Sequence, residues 1–195
     1  VLSLVFRKIG FLTKTEDDLK ASEQSQVQAV IEAKKDAEAP AGTVVTVKSP
    51  LSGAAKPLSE SPDPVFSQGV MGQGIVIEPD KGELVAPIDG VVSVLFPSKH
   101  AVGLISDEGI ELLMHIGMDT VSLDGKGFTA EVKQGDRVSA GDVLIRFDIQ
   151  TIQEAGYPVT TPVIVTNQND FQTDVTRALP CDIAHGETIF TASKL

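Results

Sequence analysis

A chain of 195 residues, 42% of them hydrophobic, is long enough for one domain of about 100–150 residues with its own core, plus an extension. Its formal net charge of −11 sets it against a phosphate backbone, so nucleic acid is not an expected partner, and it suits a partner with a basic face. The single cysteine, Cys181, excludes an intramolecular disulfide and a cysteine-rich zinc cluster and reads as a small buried hydrophobe.

Val1–Leu12 (VLSLVFRKIGFL) is apolar but broken by Arg7 and Lys8. It is shorter than the ~20 residues a membrane span needs, and it lacks the basic start and small-residue cleavage site of a signal peptide. Two readings stand: a short amphipathic or frayed end, or the cytosolic end of a truncated membrane segment, with Arg7 and Lys8 fitting the positive-inside tendency. Residues 13–43 read as a charged linker. Their Ala, Glu, Lys and Gln favour helix, but no core-facing stripe is present and no aromatic.

From residue 44 the pattern changes, and residues 44–195 are expected to form one domain. VVTV (Val44–Val47), GIVIEP (Gly74–Pro79), GELVAP (Gly82–Pro87) and GVVSVLF (Gly90–Phe96) are short β-branched or aliphatic runs bounded by Gly, Pro, Asp and Ser. AVGLIS (Ala101–Ser106), GIELLMHIG (Gly109–Gly117), DVLIRFD (Asp142–Asp148) and TPVIVTN (Thr161–Asn167) continue the series, with a turn or two of helix near Ile149–Gly156. Many short strands at close spacing predict an all-β sandwich or barrel.

An internal repeat supports that class. Ser49-Pro50-Leu51-Ser52-Gly53-Ala54-Ala55 reads like Ala86-Pro87-Ile88-Asp89-Gly90-Val91-Val92. A strand–turn–strand unit used twice would put Pro at a sheet edge and Gly where φ is positive. Val132–Leu144 alternates aliphatic and turn residues in the manner of the hairpins of biotinyl and lipoyl domains.

Three histidines exist, and no nucleophilic serine elbow or phosphate-binding loop accompanies them. His115 follows an apolar strand-like run and precedes Gly117; alone, such a histidine is more often a buried core residue than a functional one. His100 opens a strand after the Pro97-Ser98 turn. A turn at Asp107–Gly109 lies midway between them, so a hairpin makes His100 and His115 neighbours. Two adjacent imidazoles suit a metal pair or a nucleophile with a helper. His185 reads as a turn or surface residue.

The segments LVAPIDGVVSVLFPSKHAVGLIS, GIELLMHIGMDTVSLDGKGF, VKQGDRVSAGDVLIRFD and TPVIVTN, in that order, closely resemble the glucose-family enzyme IIA of the bacterial sugar phosphotransferase system. The resemblance runs from about Val44 to Leu195. It implies a β-sandwich-like barrel of the duplicated hybrid motif type, with an N-terminal extension. It also implies a phosphoryl carrier that accepts its group from phospho-HPr and passes it to a cysteine of enzyme IIB, possibly in the same polypeptide, without a cofactor or metal. His115 matches the phosphorylated position (LLMHIGMDTV), His100 its helper (SKHAVGL), and Ser98 the hydroxyl residue that orients the helper. Asp119 matches an acidic residue at the rim. Phe66, Val65, Val70, Phe96 and Leu113 match the partner-docking face, with Phe66 and Phe96 as its buried centre once a partner is bound. Contact with a membrane is implied only through a fused permease domain, which would place this part on the cytoplasmic side.

The chemistry suits these residue types. An imidazole with a pKa near ~6.5 is largely neutral at cytosolic pH and can attack phosphorus in line without a separate base. A second imidazole can donate hydrogen bonds to the phosphoryl oxygens. Both rings are therefore expected at a shallow depression, each partly exposed. An enzyme IIA-like regulatory domain on a transporter outside the phosphotransferase system is the alternative that shares this fold. A lysostaphin-type zinc peptidase shares the His115-xxx-Asp119 spacing but needs a downstream His-x-His that the sequence lacks. A biotinyl or lipoyl carrier needs a hairpin-tip lysine triplet that is also missing.

Overall fold

The computed structural model describes residues 39–195; the expectations for residues 1–12 and most of 13–43 lie outside them. The strands, in chain order, are β1 (Val44–Lys48), β2 (Gly53–Pro57), β3 (Gln73–Pro79), β4 (Glu83–Val85), β5 (Gly90–Leu95), β6 (Ala101–Ile105) and β7 (Glu111–His115). They continue with β8 (Phe128–Ala130), β9 (Arg137–Val138), β10 (Val143–Phe147), β11 (Thr161–Val165), β12 (Phe171–Val175), β13 (Cys181–Ile183) and β14 (Thr188–Lys194). Two short helices, α1 (Pro64–Ser67) and α2 (Ile149–Glu154), interrupt the series. The all-β expectation holds, and α2 falls where the sequence places it. Its N-cap is Asp148, whose side chain accepts from the Gln150 and Thr151 amides. The runs that periodicity misses are short or polar: β12 (FQTDV) buries Phe171 and leaves three of its five residues exposed.

An eight-stranded sheet runs β13-β2-β3-β11-β7-β6-β5-β9, and two three-stranded sheets run β1-β14-β12 and β4-β10-β8. The order of the large sheet reads as a palindrome about β11 and β7, and the hydrogen bonds say the same. The Lys48 amide donates to the Pro87 carbonyl at 3.1 Å, and the Val85 amide to the Pro50 carbonyl at 2.9 Å. The Gly186 amide bonds Ser49 and the Gly141 amide bonds Ala86. Ala184 N donates to the Glu187 carboxylate, as Ser139 N does to Asp142. The repeat seen in the sequence is thus one half-barrel used twice. His185 occupies the turn equivalent to Ala140, its amide on Ser52 Oγ and its ring Nε2 3.1 Å from the Glu83 carbonyl. The turn reading of His185 holds.

The glycine expectation holds in one copy only. Gly53 has φ +147, whereas Gly90 has an ordinary negative φ. Close approach explains both instead: a Cβ at Gly53 would sit 2.0 Å from the Glu78 carbonyl oxygen, and one at Gly90 2.3 Å from that of Ile105. Each repeat needs glycine because a neighbouring strand crosses against its backbone.

The middle of the large sheet is buried on both faces: β7 and β11 are buried at every position. Leu112 and Met114 of β7 join the main core, packed with Val163 and Val165 of β11. Leu113 and Ile164 point the other way, into a second apolar cluster with Phe66, Val76, Phe96 and Met118. The excursion between β2 and β3 covers that second face. There Asp63 caps α1 by accepting from Val65 N at 2.8 Å, and Pro64 fills the first turn, where its missing N–H costs nothing. α1 then turns Phe66 inward and leaves Val65 exposed.

Candidate active site

Strands β6 and β7 are antiparallel with Ala101 opposite His115, and the turn falls at residues 106–110, as the spacing predicts. One more bond, from the Ile116 amide to the His100 carbonyl at 2.7 Å, continues the ladder past the strand ends. Alternation along β7 puts His115 on the same face as Leu113, above the second cluster. The hairpin's far turn is tied to β9 by Arg137, whose guanidinium bonds both carboxylate oxygens of Asp107 and holds that carboxyl below its usual range. Both partners are well exposed, so this pair adds little stability.

His100 is held by the tight link from β5. The Lys99 amide bonds the Phe96 carbonyl at 2.8 Å, the Phe96 amide bonds the Ala101 carbonyl, and Lys99 takes a left-handed conformation at φ 59. Ser98 Oγ lies 2.6 Å from His100 Nδ1. On the other ring, His115 Nδ1 lies 2.7 Å from the Gly117 carbonyl oxygen. A carbonyl only accepts, so Nδ1 carries the proton in the neutral ring and the lone pair resides on Nε2. The His100 and His115 ring centroids are 4.8 Å apart, edge to face at 78°. The Phe66 ring centroid lies 5.5 Å from that of His115 and the Phe96 centroid 5.4 Å from that of His100, so each histidine has a phenylalanine as well as the other imidazole for a neighbour.

The two histidines and Ser98 therefore come together, but not as open side chains. His115 is 8% exposed and His100 0%. The expectation of two partly exposed rings fails: both are buried, His100 completely, with Phe96 and His115 against its ring and Ser98 on its nitrogen. Any group reaching this pair arrives over His115. The docking residues divide likewise. Val65 and Val70 are exposed, Val70 at 66%, whereas Phe66, Phe96 and Leu113 are buried. Phe96, one residue past β5, is 2% exposed and packs in the second apolar cluster; it is a core residue and not a ready anchor for a partner. Asp119 is exposed, in a left-handed turn at φ 56, two residues past Gly117.

The sequence reading missed the main-chain part of the site. The Gly117 carbonyl is as close to His115 as Ser98 is to His100. Gly117 has φ +73, and a Cβ there would come within 2.7 Å of the Pro158 carbonyl oxygen and 2.6 Å of Thr120 Cγ2. A His-x-Gly step closing a strand is the signal that could have found it, since a glycine at positive φ turns its carbonyl back on the preceding turn.

The family model described as phosphoenolpyruvate-dependent sugar phosphotransferase system, EIIA 1, matches residues 45–171. The PTS system beta-glucoside-specific EIIBCA component of Bacillus subtilis (strain 168) is 52% identical over 130 residues, which is 67% of this chain and 21% of that protein. The component of the same description from Halalkalibacterium halodurans is 48% identical over 153 residues, 78% of this chain and 24% of that protein. The chain thus spans about a quarter or less of the curated relatives it matches. Among solved structures, glucose permease IIA from Mycoplasma capricolum superposes with a TM-score of 0.71 at 33% identity, covering 76% of this chain and 96% of that one.

Proposed function

This chain belongs to the EIIA 1 family of the phosphoenolpyruvate-dependent sugar phosphotransferase system, and we propose that His115 is its phosphoryl acceptor, with His100 as helper and Ser98 orienting the helper. The observation that carries this reading is the hydrogen bond of His115 Nδ1 to the Gly117 carbonyl, because it fixes the tautomer whose lone pair is on Nε2. In the step proposed, that lone pair attacks the phosphorus of phospho-HPr in line. A P–N bond forms to Nε2 as the bond to the donor breaks, and the donor keeps that electron pair. No base is required, since Nε2 carries no proton in this tautomer. The complementary tautomer suits His100: with the Ser98 hydroxyl donating to Nδ1, the His100 proton sits on Nε2 and can bond phosphoryl oxygens. In the second transfer a cysteine thiolate of enzyme IIB attacks the phosphorus in line: an S–P bond forms as the P–N bond breaks, and His115 Nε2 recovers its electron pair.

Phosphoryl transfer from HPr and to IIB is proposed for the whole protein of which this chain is the IIA part. Both relatives are named EIIBCA components, which supports a IIB partner in the same polypeptide and disfavours an appendage on a transporter outside the system. Their names support a beta-glucoside as the sugar. A cytoplasmic domain tethered through residues 13–43 to a membrane part follows from the same reading; no helix among the described residues is long and apolar enough to cross a membrane. The proposed domain, residues 44–195, is supported by β14, which pairs with both β1 and β12 beyond the matched span.

Labelling with phospho-HPr tests the roles. His115→Ala should take up no label. His100→Gln should still accept phosphate but pass it to IIB slowly. Equal failure of acceptance in both variants would mean that the two roles are shared or exchanged.

A further inference from the structure

We propose that Thr120 is a positioning residue that sets the tautomer of His115. The inference rests on the reading of His115 Nε2 as the attacking atom, and it concerns a residue that touches no reacting group. Thr120 is fully buried beneath the turn that follows β7, and its Oγ1 donates to the Ile116 carbonyl at 2.5 Å. That bond anchors the peptide group entering Gly117. The peptide group leaving Gly117 is anchored from the other side, where the Met118 amide donates to the Pro158 carbonyl at 3.1 Å. Gly117 is thus a glycine at φ +73 clamped between two fixed peptides, and its carbonyl meets His115 Nδ1. The Thr120 methyl closes the remaining space: it lies 2.6 Å from where a Gly117 Cβ would be.

The clamp is needed because glycine is the residue least able to hold its own conformation. Without the Thr120 hydroxyl, the Ile116 carbonyl loses a buried donor and the entering peptide is free to rotate. The Gly117 carbonyl belongs to the peptide that the Met118–Pro158 bond still holds, but with only that one anchor the angles on either side of Gly117 are no longer fixed, and the carbonyl would swing off Nδ1 for part of the time. The Gly117 carbonyl would not favour the proton on Nδ1 during those intervals, and a ring protonated on Nε2 has no lone pair at the attacking atom. A tautomer error in a catalytic imidazole can cost up to about 10⁴ in rate; a mixture of tautomers costs less, here about tenfold.

The test compares Thr120→Val, which keeps the shape and removes the hydroxyl, with Thr120→Ser, which keeps the hydroxyl. The first readout is the pair of ¹⁵N shifts of the His115 ring in the unphosphorylated protein, which report the tautomer without any transfer reaction. The second is the rate of labelling by phospho-HPr. In Thr120→Val the Nδ1 and Nε2 shifts should move toward one another and labelling should slow about tenfold; Thr120→Ser should restore both. A folded Thr120→Val whose His115 shifts match the wild type would overturn the proposal, as would an equal loss in Thr120→Ser. If Thr120→Val does not fold, Thr120→Ala against Thr120→Ser makes the same comparison, and an unchanged tautomer in Thr120→Ala is the overturning result. Shifts that move as expected in a protein labelled at some residue other than His115 would leave Thr120 its role and remove His115 from the phosphoryl site.

Discussion

Around Pro50 and around Pro87 the backbone makes the same hydrogen bonds in the same places, and the two half-barrels diverge in the side chains that hang from them and in the links between their strands. The registers give the equivalences. Ala54 pairs with Glu78 and Val91 with Ile105, so Gln73 corresponds to His100; Thr161 pairs with Ile77 and Leu112 with Leu104, so Ile164 corresponds to His115. One half thus carries two imidazoles where the other carries an isoleucine and a glutamine. The links differ too. Between β5 and β6 the chain turns within residues 96–100, which seats His100; between β2 and β3 residues 58–72 wander off and bring Phe66 back over His115. The frame is indifferent to the chemistry, because main-chain bonds do not depend on which side chain the strand carries. The site needs both halves: one supplies the histidines and the other covers them.

Removing side chains one at a time separates the rings that belong to the core from residues of a docking face. Phe96→Ala should lower unfolding stability by about 3–5 kcal/mol, since it empties a buried aromatic site. Val70→Ser should leave stability within about 0.5 kcal/mol and weaken HPr binding. Urea unfolding beside HPr titration reads both, and a Phe96→Ala protein of native stability would return that ring to the surface. If the two halves share one frame, Gly53→Ala and Gly90→Ala should each cost about 1–3 kcal/mol, because each added Cβ meets a backbone carbonyl. Gly53→Ala should cost the more of the two, since its φ of +147 adds backbone strain; a tolerated Gly90→Ala would mean the frames differ in rigidity where their bonds agree. The smallest effect is expected at the exposed rim. Asp119→Asn should slow phosphorylation by phospho-HPr chiefly at low salt, as screening over ~8 Å at physiological ionic strength already mutes a surface charge. Stopped-flow rates along a salt series with matching slopes for variant and wild type would leave Asp119 as a turn residue only.

Much of this molecule was legible in one dimension because its signals are local. Short β-branched runs between turn residues fix strands wherever the chain folds, and the Pro-x-x-Gly repeat announces two copies of one unit. The midpoint turn between His100 and His115 makes them neighbours by geometry alone, and the ordered motifs around them resemble one family. Tertiary structure decided how far each side chain is open to solvent. Phe96 and His100, in the link between β5 and β6, and Leu113, in β7, belong to a face that looks no different in sequence from an exposed one. Phe96 and Leu113 are buried in a cluster that Leu58 and Phe66 of the opposite half's excursion complete, and His100 is packed between Phe96 and His115, contacts between residues far apart in the chain. The Gly117 carbonyl and the Thr120 hydroxyl were hidden for a related reason. A main-chain acceptor has no residue type of its own, and its direction depends on a φ angle and on anchors such as Pro158 that only the folded chain brings within reach.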